Sequence, residues 1–324
     1  MIQCPVENPR GFLFVGDPHL SSRTPGLRRD TYAEAILTKL AWCLQTAREN
    51  QLQPVILGDL FHFPKDNANW LLTELCRLMH SHQPVGIHGN HDCSANELLD
   101  DDSLSILHTA GLLPLLDRDG PWVGRMGDVD VLLGGTSWGQ RIPRNFNPID
   151  HKLPGETRAV WITHHDLIVS GYEDSGRIRP HEIPGIDIVV NGHLHHGSEP
   201  LVTGMTRWLV PGNISRVNHG EASVNFKPQV LVLTLENEQW IESMLEVPHQ
   251  PFDEVFHKSI EGAPGKATSL SGVVRGLKEL IETRTQSGAM LNSFLNENLR
   301  ELEVDPEICA EIHVLKEEVI GNHG

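Results

Sequence analysis

Five short polar motifs, each directly after a short apolar run, constrain this chain more than any other feature. The runs FLFV, PVIL, PVGI, AVWIT and IDIVV precede, in that order, Asp17-Pro-His19, Gly58-Asp59, Gly89-Asn90-His91-Asp92, His164-His165 and Gly192-His193-Leu194-His195. Short apolar runs bounded by glycine or polar residues are typical of buried strands. Because ligands bind beyond the carboxyl ends of strands in α/β sheets, we expect the five motifs to converge.

The rest of the pattern predicts an α/β (α+β) fold. Amphipathic helices are expected at about residues 30 to 50 and 67 to 82, and predicted strands dominate after Gly120. The predicted strands are Phe12–Val15, Pro54–Leu57, Pro84–Ile87, Val129–Leu133, Ala159–Ile162, Ile186–Val190, Trp208–Val210 and Gln229–Leu235.

A domain boundary is predicted near Pro248 to Pro251, which separates a domain of residues 1–250 from a helical C-terminal extension of residues 251–324. The extension has apolar residues at helical spacing and carries 13 acidic and 7 basic side chains, a net charge of 7 − 13 = −6. It is therefore not a basic DNA-binding arm. Two interpretations stay open for it: an element that binds a partner, or a helical cover packed on its own domain.

Composition limits the function further. The net charge of −17 argues against nonspecific nucleic-acid binding through a broad basic surface, whereas 19 histidines are a rich supply of the commonest metal ligand. The five scattered cysteines contain no Cys-x-x-Cys pair and predict reduced thiols. No apolar stretch approaches membrane-spanning length and the first residues do not resemble a signal peptide, so a cytoplasmic location without membrane contact is expected.

The residue types in the five motifs match the needs of two divalent ions. Carboxylate, imidazole and amide oxygen donors suit Mn, Fe or Zn, and one carboxylate can bridge a metal pair. We expect Asp59 to be the bridge, and His91 to donate a proton to the leaving oxygen after attack by a hydroxide shared between the ions. One ion is assigned Asp17, His19, Asp59 and His195, and the other Asp59, Asn90, His164 and His193. His164 is preferred to His165 because it comes first after the strand, but the choice between them stays open.

This motif series resembles that of the calcineurin-like metallophosphoesterase family over about residues 12–216. The resemblance implies a four-layer αββα sandwich of two mixed sheets flanked by helices. Within the family the motifs are most similar to those of SbcD-type DNA exonuclease subunits, which use manganese and act with coiled-coil ATPase partners. By that resemblance two divalent ions are expected, Mn²⁺ first, with Fe²⁺, Zn²⁺ or Mg²⁺ as alternatives.

Two further residues are assigned through the resemblance. Gly58-Asp59-Leu60-Phe61-His62 is similar to the nuclease form of the second motif and implies that His62 is a second catalytic histidine. The turn Pro211 to Arg216 is similar to the loop after the last metal motif, so Arg216 is a candidate phosphate ligand. A solvated surface arginine is the alternative interpretation of Arg216.

The sequence therefore predicts a metal-dependent phosphoesterase, foremost a DNA nuclease that trims DNA ends in repair. Only about 74 residues follow the predicted phosphoesterase domain, and their acidity favours an alternative, a phosphodiesterase or phosphatase for a nucleotide, a cyclic nucleotide or a phosphoprotein. A third hypothesis is a binding module that keeps the fold without catalysis. Homo-oligomer formation is left open.

Overall fold

The computed structural model describes residues 2–3, 6, 8–25, 28–217 and 221–256. Nearly all of the predicted extension, residues 257–324, lies outside the described residues, so its helices and partner-binding role stay predictions. Among the helices of the described residues, none has the length and apolar character needed to cross a membrane.

The described residues form two β-sheets. In chain order the strands are β1 Ile2–Gln3, β2 Gly11–Val15, β3 Leu52–Ile56, β4 Val85–Gly86, β5 Trp122–Met126, β6 Val129–Thr136, β7 Arg158–Thr163, β8 Ile188–Asn191, β9 Ser198–Thr203, β10 Thr206–Val210, β11 Gln229–Glu236 and β12 Gln239–Glu246. One sheet has the order β12-β11-β2-β3-β4 and the other β1-β5-β6-β7-β8-β10-β9. Both sheets are mixed. In the five-stranded sheet β2, β3 and β4 are parallel, and β11 pairs antiparallel with β2 and with β12. In the seven-stranded sheet β6, β7, β8 and β10 are parallel, whereas β5 pairs antiparallel with β6 and β9 with β10.

The helices are α1 Tyr32–Glu49, α2 Asn69–His82, α3 Ser103–Thr109 and the short turns α4 Glu221–Val224 and α5 Phe252–Val255. The apolar residues of α1 recur at helical spacing, so Ile36, Leu40 and Leu44 are all buried on one face. That face packs with α2 and α3 against the outer face of the five-stranded sheet. Loops between residues 142 and 194, with one 3₁₀ turn at Pro148–His151, cover the outer face of the seven-stranded sheet.

The inner faces of the two sheets enclose the central core. Phe12 of β2 lies in this core. The centroid of its ring is 5.2 Å from that of Trp122 in the opposite sheet and 5.7 Å from that of Phe14. Val55, Val160 and further aliphatic side chains from both sheets complete this layer. Because β2, β3, β7 and β8 are buried on both faces, their sequences are nearly continuous apolar runs.

The predicted α/β sandwich of two sheets is confirmed. The predicted strands, and the two helices predicted within the described residues, correspond to observed elements with ends shifted by a few residues. Four strands were not predicted, namely β1, β5, β9 and β12, and neither was α3. The β12 sequence, QWIESMLE, has its apolar residues only in pairs separated by polar ones and lies at a sheet edge, so it lacks the apolar run that marks the central strands.

We predict that Phe12→Ala lowers the free energy of unfolding by about 3–5 kcal/mol, because it removes a buried ring that contacts aromatic side chains of both sheets. Urea unfolding followed by tryptophan fluorescence measures the change. Ile241→Ala, at a position on β12 that is 45% exposed, is the control and should change the value by about 1 kcal/mol or less. Equal losses in the two variants would contradict a core centred on Phe12.

Candidate metal centre

The polar motifs converge where strands of both sheets end. Asp17 and His19 follow β2, Asp59 follows β3 and Asn90 follows β4, so these four come from the five-stranded sheet. The other predicted ligands, His164, His193 and His195, follow β7 and β8 of the seven-stranded sheet. The carboxyl ends of parallel strands thus bring together the seven side chains that the sequence predicts as metal ligands.

A first group of donors surrounds one oxygen of Asp59. The Nε2 atoms of His19 and His195 lie 2.9 Å apart, and His19 Nε2 is 3.7 Å from Asp59 Oδ2. Ligand atoms that share an ion at about 2.1 Å are separated by roughly 3–4 Å. Asp17 is buried nearby and accepts the backbone N–H of His193 at 3.1 Å. This group matches the first predicted ligand set.

The same oxygen of Asp59 also belongs to a second group. His164 Nε2 lies 3.3 Å from Asp59 Oδ2 and 3.2 Å from Asn90 Oδ1, and His193 Nδ1 lies 2.9 Å from that amide oxygen. Single ligand atoms of Asp59, His164 and His193 all lie within 4.8 Å of one another. Asp59 therefore stands between the two groups, as a bridging carboxylate must.

The charge balance of the cluster fits two cations. Among the described residues, Asp17 Oδ2 is buried without a hydrogen-bond partner, Asp59 Oδ2 is buried with the His164 imidazole 3.3 Å away, and Asp92 is buried beside them. Burial raises the pKa of Asp17 to about 7, and burial with the neighbouring Asp59 raises that of Asp92 to about 7. Burial opposes the charging of His164, but Asp59 and Asp17 raise its pKa to about 9. Buried, crowded carboxylates are surroundings in which divalent ions supply balancing positive charge.

Second partners orient two of the imidazole ligands. His164 Nδ1 donates to the carbonyl of Leu57 at 2.8 Å, which leaves Nε2 as the metal-facing atom. His193 Nε2 donates to Asp166 Oδ1 at 2.7 Å, which leaves Nδ1 toward Asn90. Metal-binding histidines are commonly fixed in this way by a carbonyl or carboxylate. Asp166 was not predicted from the sequence, although it follows the His164-His165 doublet directly.

The backbone of the cluster is strained in a way that marks a functional site. Asp17, His19, Asp59 and His193 have φ values of +40°, +49°, +46° and +70°, a region that side chains other than glycine rarely occupy. Gly89 has no room for a side chain, because a Cβ would lie 2.1 Å from Asp59 Oδ1. The glycine of the third motif thus lets its loop approach the bridging carboxylate.

The two candidate catalytic histidines lie side by side. The rings of His62 and His91 stack at 5.3 Å, and His91 lies 4.7 Å from the ring of His19. His91 Nδ1 donates to the carbonyl of His62 at 2.9 Å, and its backbone N–H donates to Asp59 Oδ1 at 2.8 Å. His91 is therefore held directly against the cluster. Single ring nitrogens of His19, His62 and His91 also lie within 4.8 Å of one another.

Asp92 joins the second motif to the third. Its carboxylate accepts the N–H of Phe61 and of Gly89, both at 2.9 Å. Asp92 was predicted as part of the third motif, but no role was assigned to it. Only its position next to His91 in the sequence indicated that it could hold the two motif loops together.

The geometry bears on two sequence expectations that were left open. His165 points away from the cluster, with Nε2 2.8 Å from the carbonyl of Gln140, so the preferred residue, His164, is the member of the doublet that joins the ligands. Arg216 is buried and donates to the carbonyls of Phe226 and Gln250, so it is neither a solvated arginine nor directed at the metal centre, where the phosphate ligand was predicted. The physical reason is the direction of its side chain, which leaves the loop on the side away from Asp17.

A family model described as calcineurin-like phosphoesterase matches residues 11–197, which is more than half of the chain, and this range includes the positions of all seven predicted ligands. The chain belongs to the calcineurin-like phosphoesterase family. Its members are metal-dependent hydrolases that bind two divalent ions, in agreement with the donor groups around Asp59. This phosphoesterase matches no curated protein.

Several solved structures are similar to this chain at low sequence identity. A hypothetical protein from Thermus thermophilus is 13% identical with a TM-score of 0.42, covering 73% of this chain and 99% of that one. A 5'-nucleotidase precursor from the same organism is 12% identical with a TM-score of 0.43, covering 73% of this chain and 54% of that one. Vps29 from Entamoeba histolytica is 15% identical with a TM-score of 0.28, covering 73% and 99%. These values are too low to indicate a shared substrate.

We predict that Asp166→Asn weakens the binding of one of two Mn²⁺ ions by about 10- to 100-fold, because His193 loses the carboxylate that fixes its ring. Isothermal titration calorimetry on the metal-depleted chain measures both affinities. Asp174→Asn removes an exposed carboxylate from the same segment and should leave both unchanged. Equal affinities in Asp166→Asn and the unaltered chain would show that Asp166 does not support the centre.

Proposed function

We propose that this phosphoesterase is a Mn²⁺-dependent DNA nuclease that hydrolyses phosphodiester bonds at DNA ends. The observation that carries the proposal is the stacked pair of His62 and His91 against the Asp59 cluster. In the family resemblance drawn from the sequence, a histidine at the position of His62 is typical of the nuclease form of the second motif. The stacking agrees with a joint role of the two rings beside one phosphate.

The roles of the side chains follow from their positions. When bound, two divalent ions supply Lewis acidity toward the phosphoryl group and an activated water. Asp59 fixes the distance between the two donor groups, and Asn90 holds its amide oxygen between His164 and His193. His91 Nδ1 already carries a hydrogen toward the carbonyl of His62, so protonation places the transferable proton on Nε2. That proton would go to the leaving oxygen.

One exposed and one half-buried aromatic group beside the histidines support a polynucleotide substrate. Phe63 is 39% exposed, its ring lies 4.5 Å from that of His62, and the Arg23 guanidinium lies 5.8 Å from the Phe63 ring centroid. On the other side of the cluster, Trp138 lies 5.0 Å from the ring of His193. Aromatic and arginine side chains are the platforms on which unpaired bases stack. Their placement on both sides of the cluster suits a strand that crosses it.

A second candidate is a phosphodiesterase acting on a small nucleotide. It is favoured by the net charge of −17 and by the position of Arg216, whose guanidinium donates to backbone carbonyls and does not face the metal centre. A long DNA backbone is usually met by clustered cations, which a small diester does not need. Manganese as the native metal, a coiled-coil ATPase partner, homo-oligomer formation and a cytoplasmic role in DNA repair belong to the proposal and stay predictions.

We predict that the chain degrades linear DNA when Mn²⁺ is supplied and that His91→Ala lowers kcat by about 10²- to 10⁴-fold, the usual contribution of a general acid. Asp59→Asn should abolish degradation, because it removes the carboxylate shared by both donor groups. His80→Ala, at an exposed position of α2, is the control and should retain full activity. Gel assays with single- and double-stranded DNA give the rates.

The same set of variants separates the two candidates. Cleavage of a small aryl phosphodiester by the unaltered chain, without degradation of either form of DNA, would replace the nuclease by the small-substrate enzyme. Equal activity in the unaltered chain, Asp59→Asn and His91→Ala would defeat both.

We predict that Phe63→Ala raises KM for single-stranded DNA about tenfold, because loss of one base-stacking platform costs about 1–3 kcal/mol. Its kcat on a small aryl phosphodiester should be unchanged, since the ring is not part of the ligand cluster. Met205→Ala is the matched control, because Met205 is 84% exposed and precedes β10, at the end of the strand away from the centre. A similar KM in Phe63→Ala and the unaltered chain would remove Phe63 from the substrate path.

A further inference from the structure

A cavity of about 590 Å³ lies beside the start of α1. It is lined by Thr31, Glu34, Thr38 and Lys39, together with Arg216 and residues 248–250. None of the seven metal-ligand positions is among the described residues that line it. The cavity is therefore separate from the metal centre.

Two buried cations in this cavity lack a carboxylate partner. Lys39 is 8% exposed, and the acceptor that the structure gives its ammonium is the carbonyl of Ile214 at 2.9 Å. Arg216 is 6% exposed and donates to backbone carbonyls. Across the described parts of the chain, neither side chain takes part in an ion pair. Arg28 differs, because Asp30 binds its guanidinium through two hydrogen bonds of 2.9 and 2.5 Å.

Carbonyl groups alone balance buried positive charge poorly, because they are dipoles and carry no net charge. A buried charge is normally paired, and otherwise its protonation shifts. Burial, followed by the neighbouring charges of Arg28 and Arg216, lowers the pKa of Lys39 to about 7. An anion next to Lys39 would remove this penalty.

The first turn of α1 adds hydrogen-bond donors to the same cavity. The side chain of Thr31 at the start of α1 caps no backbone N–H, although Thr31 itself lines the cavity. Uncapped first-turn N–H groups and the positive end of an 18-residue helix favour a negative ligand. The buried ammonium and guanidinium groups face the same space.

We propose that this cavity is a binding site for a tetrahedral oxyanion of the phosphate class, held by Lys39, Arg216 and the first turn of α1. The Lys39 ammonium retains N–H donors beyond the one given to the carbonyl of Ile214. The cavity lining also carries more positive than negative side chains: the cations are Arg28, Lys39 and Arg216, and the carboxylates are Asp30 and Glu34. Asp30 is engaged by Arg28, and Glu34 is exposed. The ligand is free inorganic phosphate or the phosphate end of a nucleotide.

The site shares a loop with the metal centre. Lys39 and Arg28 donate to the carbonyls of Ile214 and Arg216, while Ser215 Oγ of the same loop donates to the carbonyl of Asp17 at 3.0 Å. The backbone N–H of Asn213 donates to the carbonyl of His195 at 3.1 Å. An anion that fixes Lys39 and Arg216 therefore also fixes the loop that supports two metal-ligand segments.

Thermal unfolding of the full chain with Mn²⁺ tests the proposal, with sodium sulfate as the probe and sodium chloride at equal ionic strength as the reference. Sulfate should raise Tm of the unaltered chain saturably. Lys39→Gln should weaken the apparent affinity about tenfold or more, because it removes a charge-assisted hydrogen bond. Lys65→Gln, which removes an exposed lysine, should keep the full response.

Glu34→Gln provides a test of opposite sign. It removes an exposed carboxylate from the cavity wall and should strengthen sulfate binding about two- to threefold, as expected for one like-charge repulsion at a solvent-exposed distance. Because this position is exposed, the variant remains informative even if Lys39→Gln fails to fold. Asp59→Asn should retain the sulfate response, which separates the cavity from the metal centre.

Inorganic phosphate and adenosine monophosphate, titrated in the Asp59→Asn background, distinguish the two sources of the oxyanion. Stabilisation by phosphate alone assigns the free ion, and a lower apparent Kd for the nucleotide assigns a nucleotide phosphate. The proposal is overturned if the unaltered chain shows no saturable sulfate response, if Lys39→Gln responds as strongly as the unaltered chain, or if Glu34→Gln gains nothing.

Discussion

The structure depends on one buried carboxylate that both halves of the sandwich must reach. Asp59 Oδ2 faces His19, from the same sheet as itself, and His164, from the other sheet, while Oδ1 accepts the backbone N–H of His91. An unpaired carboxylate in this position would be costly to bury, because burial raises its pKa. At Asp59 the nearby His164 and His91 outweigh this effect of burial and hold the pKa well below its usual value. The strained backbone at Asp17, His19 and His193 persists because the two packed sheets leave the loops few alternatives.

Sequence alone could locate this cluster because each ligand follows a strand that is buried on both faces. Such strands are continuous apolar runs, and the parallel arrangement brings their carboxyl ends to one place. The apolar run that marks a buried strand is absent at the sheet edges, where β9 and β12 expose about every second side chain or more. Sequence alone also fails for Asp166 and Asp92, since their partners are fixed only when loops from different strands meet.

Arg216 shows the limit of motif reasoning most clearly. The loop after β10 was correctly placed near the centre by the sequence, and Ser215 does contact the backbone of Asp17. A loop has two sides, however, and a motif does not record which side each residue faces. Arg216 leaves on the opposite side, where the carbonyls of Phe226 and Gln250 engage its guanidinium. A residue type suited to phosphate therefore stands one position away from a residue that supports the metal centre.

The net negative charge of the whole chain and the local charge of the metal centre act over different distances. A net charge of −17 repels a phosphate backbone at long range, but this repulsion is screened beyond about 10 Å at ordinary ionic strength. Within the centre, two bound divalent ions would carry more charge than Asp17 and Asp59 remove, so the local field would attract a phosphate. An acidic chain can therefore act on a phosphodiester, provided that aromatic contacts such as Phe63 supply the short-range affinity that a basic surface supplies in nucleic-acid-binding proteins.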